Sequence, residues 1–206
     1  MYSKLQYISQ GETAAAQLVN IQEALDAGCK WIQLRFKNAD KIEIKMLANK
    51  VHRLCITHDA TFIINDDPHS AKEINADGVH LGLTDMPVAE ARKLLGAHKI
   101  IGGTANTLAD VLQRMEEGAD YVGLGPFRFT QTKEKLSPIL DIKGYNEIMA
   151  SLSKQNISIP IYAIGGITQD DIIDIIQTGV YGIAVSGVIT KSADKKLLVE
   201  QFNALL

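Results

Sequence analysis

The chain has 206 residues, 46% of them apolar, with a formal net charge of −3 and a pI near 5.9. This length and apolar content suit one domain with a large core and exclude a disordered chain. The mild acidity excludes a whole-chain nucleic-acid footprint, so any anionic ligand must be held by local positive groups.

Cys29 and Cys55 are too few for a disulfide framework and read as reduced core residues. No CxxC or His/Cys cluster has zinc-site spacing. The opening stretch MYSKLQYISQGETAAA lacks the apolar segment of a signal peptide, and no window is long and apolar enough to span a membrane. A reducing, cytoplasmic setting without a membrane partner is the expectation.

The first short apolar run is LQYIS (5–9), followed by TAAAQLVNIQEALDAG, a helical pattern closed by Gly28. WIQLR (31–35) comes next, and Arg35 and Lys37 alternate with apolar residues along it. TFIIN (61–65) leads into Asp66 and then Asp67, which precedes Pro68 and reads as a helix N-cap. GVHLG (78–82) is followed by Asp85 and MPVAEARKLLG, with Pro87 in the first turn of a helix and Gly96 after its last. KIIGGT (99–104) precedes TLADVLQRMEEG, where Thr107 and Asp110 have capping-box spacing. YVGLGP (121–126) runs into a polar loop with Thr130, Gln131, Thr132 and Lys133. After IPIYAIG (159–165), TQDDIIDIIQTG repeats the capping-box spacing with Thr168 and Asp171. Its Ile172, Ile173, Ile175 and Ile176 predict a broad apolar face. GIAVSG (182–187) is the last run.

Several of these runs are apolar almost throughout, as parallel strands covered on both faces should be. EALDAGCKWIQL, KEINADGVHLG, RMEEGADYVGLG and IIQTGVYGIAVSG repeat one order: helix end, small-residue turn, buried strand. One β–α unit per about 26 residues predicts an α/β fold, a single (β/α)8 TIM barrel over residues 1–206. A doubly wound open sheet is the alternative. Nothing resembling a linker divides the chain.

In such a barrel the loops after the strands' C-terminal ends build the site. Those ends carry Gln33, Arg35 and Lys37; Asn65, Asp66 and Asp67; Asp85; Thr104 and Asn106; Thr130, Thr132 and Lys133; Gly165 and Gly166; Ser186 and Gly187. The loops containing IGGIT and VSG suit an anion held by backbone N–H groups, although Gly165 and Gly166 would also serve a plain tight turn. Asp66 and Asp85 end neighbouring strands and, with a bound phosphate, suit Mg²⁺. Asp85 is equally placed to N-cap the helix that follows. Charge at Arg35 and Lys37 needs a partner, either an anionic ligand or an ion pair with Asp66. His80 reads as a hydrogen-bonded core histidine. There is no Ser-His-Asp pattern and no GxSxG elbow. The set fits phosphoryl or pyrophosphate leaving-group chemistry better than hydrolysis.

QLRFK, IIND, ADGVHLGLTDMP, ADYVGLGPFRFTQTK, IPIYAIGGI and GIAVSGVI, in this order, resemble the motifs of the thiamine-phosphate synthase family, also called thiamine-phosphate pyrophosphorylase. The resemblance covers nearly the whole chain. It implies a transferase that joins hydroxymethylpyrimidine pyrophosphate to thiazole phosphate and releases pyrophosphate. It implies Mg²⁺ on Asp66 and Asp85, and the pyrimidine and its pyrophosphate on Gln33, Arg35, Lys37 and Asn65. Gly166, Ser186 and Gly187 would hold the thiazole phosphate. Thr130, Thr132 and Lys133 would meet the phosphates, and Leu34, Phe36 and Gln131 fall within the same substrate-binding motifs. Lys133, Thr104 and Arg35 would be the catalytic residues. A homo-oligomer is compatible with the sequence. The chain departs from the family pattern at Phe36, Leu83, Asn106, Arg128 and Phe129. Rival readings are the related thiazole tautomerase, which needs a histidine where Asn106 stands, a non-catalytic sensor barrel, and a phosphate-barrel isomerase or epimerase.

Overall fold

A computed structural model describes residues 2–37, 39–129 and 138–206. Strands and helices alternate in chain order. The first half comprises β1 (Leu5–Ile8), α1 (Ala14–Asp26), β2 (Trp31–Leu34), α2 (Lys41–Thr57), β3 (Thr61–Asn65), α3 (Pro68–Ile74), β4 (Gly78–Leu81) and α4 (Val88–Leu95). The second comprises β5 (Ile100–Ala105), α5 (Leu108–Glu116), β6 (Tyr121–Leu124), α6 (Asp141–Lys154), β7 (Ile161–Ile164), α7 (Ile172–Gln177), β8 (Gly182–Val185), α8 (Gly187–Thr190) and α9 (Lys195–Leu205).

The strands form one closed parallel barrel in sequence order. Closure is made by β8 on β1, with Leu5 opposite Ile183 and Tyr7 opposite Val185. The open-sheet alternative is therefore excluded.

The barrel interior is filled by Ile8, Trp31, Ile63, Tyr121, Tyr162 and Ala184. Trp31 meets Tyr121 and Tyr162 edge-on, with ring centroids 5.0 and 5.2 Å apart. Rings of this size fit because glycines face them. A Cβ on Gly102 would stand 2.1 Å from Cζ of Tyr121, and one on Gly182 would stand 2.9 Å from Cε1 of Tyr162. Alternate strand residues point outward into a second core beneath the helices, which includes Ile32, Leu34, Phe62, Ile64, Val122 and Ile183. Cys29 and Cys55 are free and buried, and burial pushes both thiols up to about 12.

The local signals behave as their chemistry requires. Asp67 caps α3, accepting from the backbone N–H groups of His69 and Ser70, with Pro68 in the first turn. The Thr107–Asp110 capping box opens α5. The Thr168–Asp171 box forms too, on a 3-10 turn, Gln169–Asp171, that runs into α7. Two expectations are corrected. Pro87 precedes α4 with an extended ψ of 140° and is not in its first turn. In α7 only Ile172 and Ile175 are buried, whereas Ile173 is 55% exposed, because a six-residue helix lying on the barrel covers one narrow stripe. Among the described residues, no helix is long and apolar enough to cross a membrane.

Candidate functional site

The site begins with two acids at the ends of neighbouring strands. Asp66 follows β3 with φ 65°, a left-handed conformation that aspartate tolerates better than most side chains. Its N–H donates to the carbonyl of His80 at 2.8 Å, which ties this turn to β4. Its carboxyl lies within hydrogen-bonding reach of Asp85. Asp85 is held by its own turn, where Oδ2 accepts the Gly82 N–H at 2.6 Å. The approach is close, since a Cβ on Gly82 would be 2.8 Å from the same oxygen and would push that carboxylate aside. Asp85 is not a helix cap, because α4 starts after Pro87 and has no side-chain cap bond.

Burial, then the hydrogen bond and charge of Asp85, push Asp66 up to about 6, against the lowering pull of Lys37 and Arg35. Lys37 Nζ stands 3.9 Å from Asp66 Oδ2, so the ion pair weighed from the sequence is present. Among the described residues, no group of three or more His, Cys, Asp or Glu side chains forms a dedicated metal cage. Two carboxylates crowded enough to retain a proton are a donor set that fits Mg²⁺, which takes few protein ligands and completes its shell with water and phosphate oxygens.

Beside the acids, Gln33 Nε2 donates to Asn65 Oδ1 at 2.6 Å. Gln33 Oε1 is buried with no partner among the described residues, an acceptor that a ligand N–H would satisfy. Arg35 is pinned through its backbone: its N–H donates to Ser9 Oγ and its carbonyl accepts from Gln17 Nε2. Gln33, Arg35 and Lys37 share the parity of Trp31, which points into the barrel. Leu34 and Phe36 have the opposite parity and pack in the outer core. Their side chains therefore turn away from the mouth, leaving their backbone groups at its rim.

Thr104, next to last in β5, stands beside Gly123 of β6. Its hydroxyl lies 3.0 Å from His80 Nε2, and His80 Nδ1 lies 3.0 Å from the Tyr121 hydroxyl. His80 is the buried, hydrogen-bonded core residue expected. Asn106 is also buried, and its amide donates to the carbonyl of Gly125.

Between these strand ends stands a residue the sequence reading missed. The buried guanidinium of Arg114, on α5, donates to Gly82 O at 2.9 Å, Thr104 O at 3.2 Å and Glu117 Oε2 at 2.8 Å. It braces the turn that holds Asp85 against the end of β5 that carries Thr104. Gln10 was missed as well. Its Oε1 is buried without a partner among the described residues and lies 3.4 Å from where a Cβ on Gly187 would be.

On the far side, Gly165 and Gly166 have φ 97° and 71°. A Cβ on Gly165 would stand 2.8 Å from Pro126 Cα, so the loops after β6 and β7 touch through backbone. Phe127 and Arg128 donate their N–H groups to the carbonyls of Ile164 and Gly165. The Arg128 guanidinium grips both oxygens of Asp171, each at 2.7 Å. Ser186 precedes α8 and makes no side-chain cap bond. Thr130, Gln131, Thr132 and Lys133 lie outside the described residues. A cavity of about 540 Å³ lined by His52, Cys55, Asp59, Asp77, His98 and Lys99 opens at the opposite, N-terminal end of β3 to β5.

Residues 5–189 match the family model described as thiamine monophosphate synthase. The chain is 57% identical over 206 residues to a thiamine-phosphate synthase of Flavobacterium johnsoniae, covering all of this chain and 97% of that one. It is 49% identical over 191 residues to the thiamine-phosphate synthase of Phocaeicola vulgatus, covering 93% and 92%. Among solved structures it resembles a thiamine phosphate pyrophosphorylase from Pyrococcus furiosus, with a TM-score of 0.84 and 30% identity over 98% of this chain and 94% of that one. A 3-hexulose-6-phosphate synthase, 18% identical with a TM-score of 0.73 over 99% and 100% of the two chains, shares the fold.

Proposed function

The chain belongs to the thiamine monophosphate synthase family and shares its transferase activity in thiamine biosynthesis, and we propose that the barrel mouth described above carries that reaction out. The observation that supports this most is the contact between Asp66 and Asp85, with Asp66 pushed up to about 6. A pair of carboxylates that costs energy to ionise is set to receive a divalent cation together with an anionic substrate.

In this reading Gln33 and Asn65 bind the pyrimidine ring, and the orphaned Gln33 Oε1 accepts from its amino group. Arg35 and Lys37 face the pyrophosphate. Mg²⁺ held by Asp66 and Asp85 would supply charge neutralisation for the departing pyrophosphate. Lys133 and Thr104 give that anion further donors. Thr130, Gln131 and Thr132 would sit against the phosphates in the same loop. Gly166, Ser186 and Gly187 hold the thiazole phosphate so that the ring nitrogen faces the reacting methylene carbon.

The carbon–oxygen bond to pyrophosphate breaks, and the positive charge left on the carbon is spread into the electron-rich pyrimidine. The thiazole nitrogen lone pair then forms the new carbon–nitrogen bond. No base is required, since that nitrogen carries no proton to lose. The residues contribute fixed charge and alignment, which are the large terms in such a reaction.

The test is a product assay with hydroxymethylpyrimidine pyrophosphate, thiazole phosphate and Mg²⁺, with each omitted in turn. Thiamine phosphate and pyrophosphate should form in equal amounts only in the complete mixture. Product formation unaffected by chelation of Mg²⁺ would overturn the metal assignment.

A further inference from the structure

We infer that Gln6, Tyr121 and His80 form a directed hydrogen-bond relay that makes the Thr104 hydroxyl a proton donor toward the barrel mouth. The inference rests on the reading of that mouth as an anion site and adds three positioning residues to it.

The relay crosses the barrel interior. Gln6 Nε2 lies 3.2 Å from the Tyr121 hydroxyl, which lies 3.0 Å from His80 Nδ1, and His80 Nε2 lies 3.0 Å from Thr104 Oγ1. All four residues are buried. The room for the imidazole comes from β6, where Gly123 stands opposite Thr104 and a Cβ on it would lie 3.1 Å from His80 Cε1.

Donor inventory sets the direction. An amide nitrogen can only donate, so the Tyr121 oxygen accepts from Gln6. A phenol has one proton and, when buried, must give it to an acceptor. His80 Nδ1 is that acceptor. Burial pushes the Tyr121 phenol above its ordinary value, so it keeps this proton. With Nδ1 accepting, a neutral imidazole carries its proton on Nε2, and that N–H donates to Thr104 Oγ1. Thr104 therefore receives a hydrogen bond from the interior and has its own proton to give outward. An anionic phosphate oxygen needs that polarity. With the Gln6 amide turned the other way, every step reverses, and Thr104 would offer an anion only lone pairs.

The direct test is the tautomer of His80 in the full-length, ¹⁵N-labelled protein, read by long-range ¹H–¹⁵N correlation with His80→Asn for assignment. The relay requires the proton on Nε2, both free and with inorganic pyrophosphate plus Mg²⁺. A proton on Nδ1 overturns it. This reading needs no catalysis, so it stands or falls separately from the product assay.

Kinetics supply the second arm. Tyr121→Phe removes the donor to Nδ1 while keeping the ring. It should lower kcat about 5- to 20-fold, leave KM for thiazole phosphate unchanged and mix the His80 tautomers. Thr104→Val should cost at least as much, Thr104→Ser should recover most of it, and the Tyr121→Phe/Thr104→Val pair should lose no more than Thr104→Val alone. Additive losses, or a Tyr121→Phe loss with the tautomer unchanged, would reduce Tyr121 to a packing residue and refute the relay.

Discussion

The carboxyl of Asp66 lies within hydrogen-bonding reach of the carboxyl of Asp85, although the two leave different strands of the barrel. Asp66 is pushed up to about 6 from an ordinary value of 3.8. The native protein therefore holds this proton more tightly than the unfolded chain does. Stability from this group is fully present below about pH 4 and is lost as pH rises through about 6. For a fully buried group a displacement this large would correspond to about 3 kcal/mol. The side chain is 38% exposed, and solvent screening reduces this to roughly 1 kcal/mol. Asp66→Asn, which keeps a residue tolerant of the left-handed backbone, should thus stabilise the metal-free protein by roughly 1 kcal/mol near neutral pH and change little near pH 4. Urea unfolding at the two pH values checks this. Equal effects at both would show that ionic repulsion is not the cause.

The same pair sets the metal response. At limiting Mg²⁺ the acid limb of the rate profile should have its midpoint near 6, where Asp66 loses its proton, and added Mg²⁺ should move it lower. Asp66→Asn and Asp85→Asn should each raise the Mg²⁺ concentration for half-maximal activity by roughly tenfold or more. The Asp85→Asn amide oxygen can still accept from Gly82, so its fold should hold. Activity titrated against Mg²⁺ decides the matter, and superimposable curves for all three proteins would dismiss the metal site.

Lys133→Ala should fold normally and lose roughly 10²–10³ in kcat, the cost of one preorganised donor to the leaving anion. Circular dichroism and steady-state rates suffice. A loss under about threefold, far below that estimate, would remove Lys133 from the catalytic set.

Arg114→Met keeps much of the apolar stem and deletes the guanidinium. It leaves the Gly82 and Thr104 carbonyls without this donor. Orphaned buried acceptors at this rate cost roughly 3 kcal/mol together, or about 6–12 °C in Tm for a chain of this size. Because Gly82 carries Asp85, the half-maximal Mg²⁺ concentration should rise too. Thermal melts with the Mg²⁺ titration test both halves, and a lower Tm with unchanged Mg²⁺ dependence would confine Arg114 to a structural role.

Asn106 stands where a tautomerase would need an acid/base group. Its amide donates to the Gly125 carbonyl and has no proton to exchange near neutral pH. Thiazole isomerisation should be undetectable by NMR of the carboxylated thiazole phosphate incubated with the protein. Isomerisation abolished by Asn106→Ala would reverse this assignment.

Periodicity and punctuation made most of the fold readable. All eight strands, the Thr107 and Thr168 capping boxes and the Asp67 cap could be placed from spacing alone, because each depends on neighbours in the chain. The helix α2 was harder to pick out, because Ile42 and Ile56 are 73% and 67% exposed and blur its apolar stripe. At the rim, residue type revealed Asp66, Asp85, Gln33 and Asn65. It did not reveal that Asp85 closes on Gly82 instead of capping α4, nor that Leu34 turns away from the mouth. Arg114, Gln10 and the Gln6–Tyr121–His80 series were invisible for one reason: each acts through partners from distant parts of the chain, and an arginine on a helix or a tyrosine in a strand looks like ordinary surface or core.

The aromatic floor of the barrel has an optical consequence. Trp31 is the only tryptophan in the chain, and it lies fully buried between Tyr121 and Tyr162. Intrinsic emission from this protein therefore reports a single dry location at the start of β2, below the layer in which Gln33 and Asn65 meet. Its spectrum should be blue-shifted and should move red in one step when the barrel opens. Filling of the mouth by a phosphorylated ligand should leave it nearly still. Fluorescence will therefore measure the unfolding of this enzyme cleanly, while binding has to be followed by calorimetry or by a label placed at the rim.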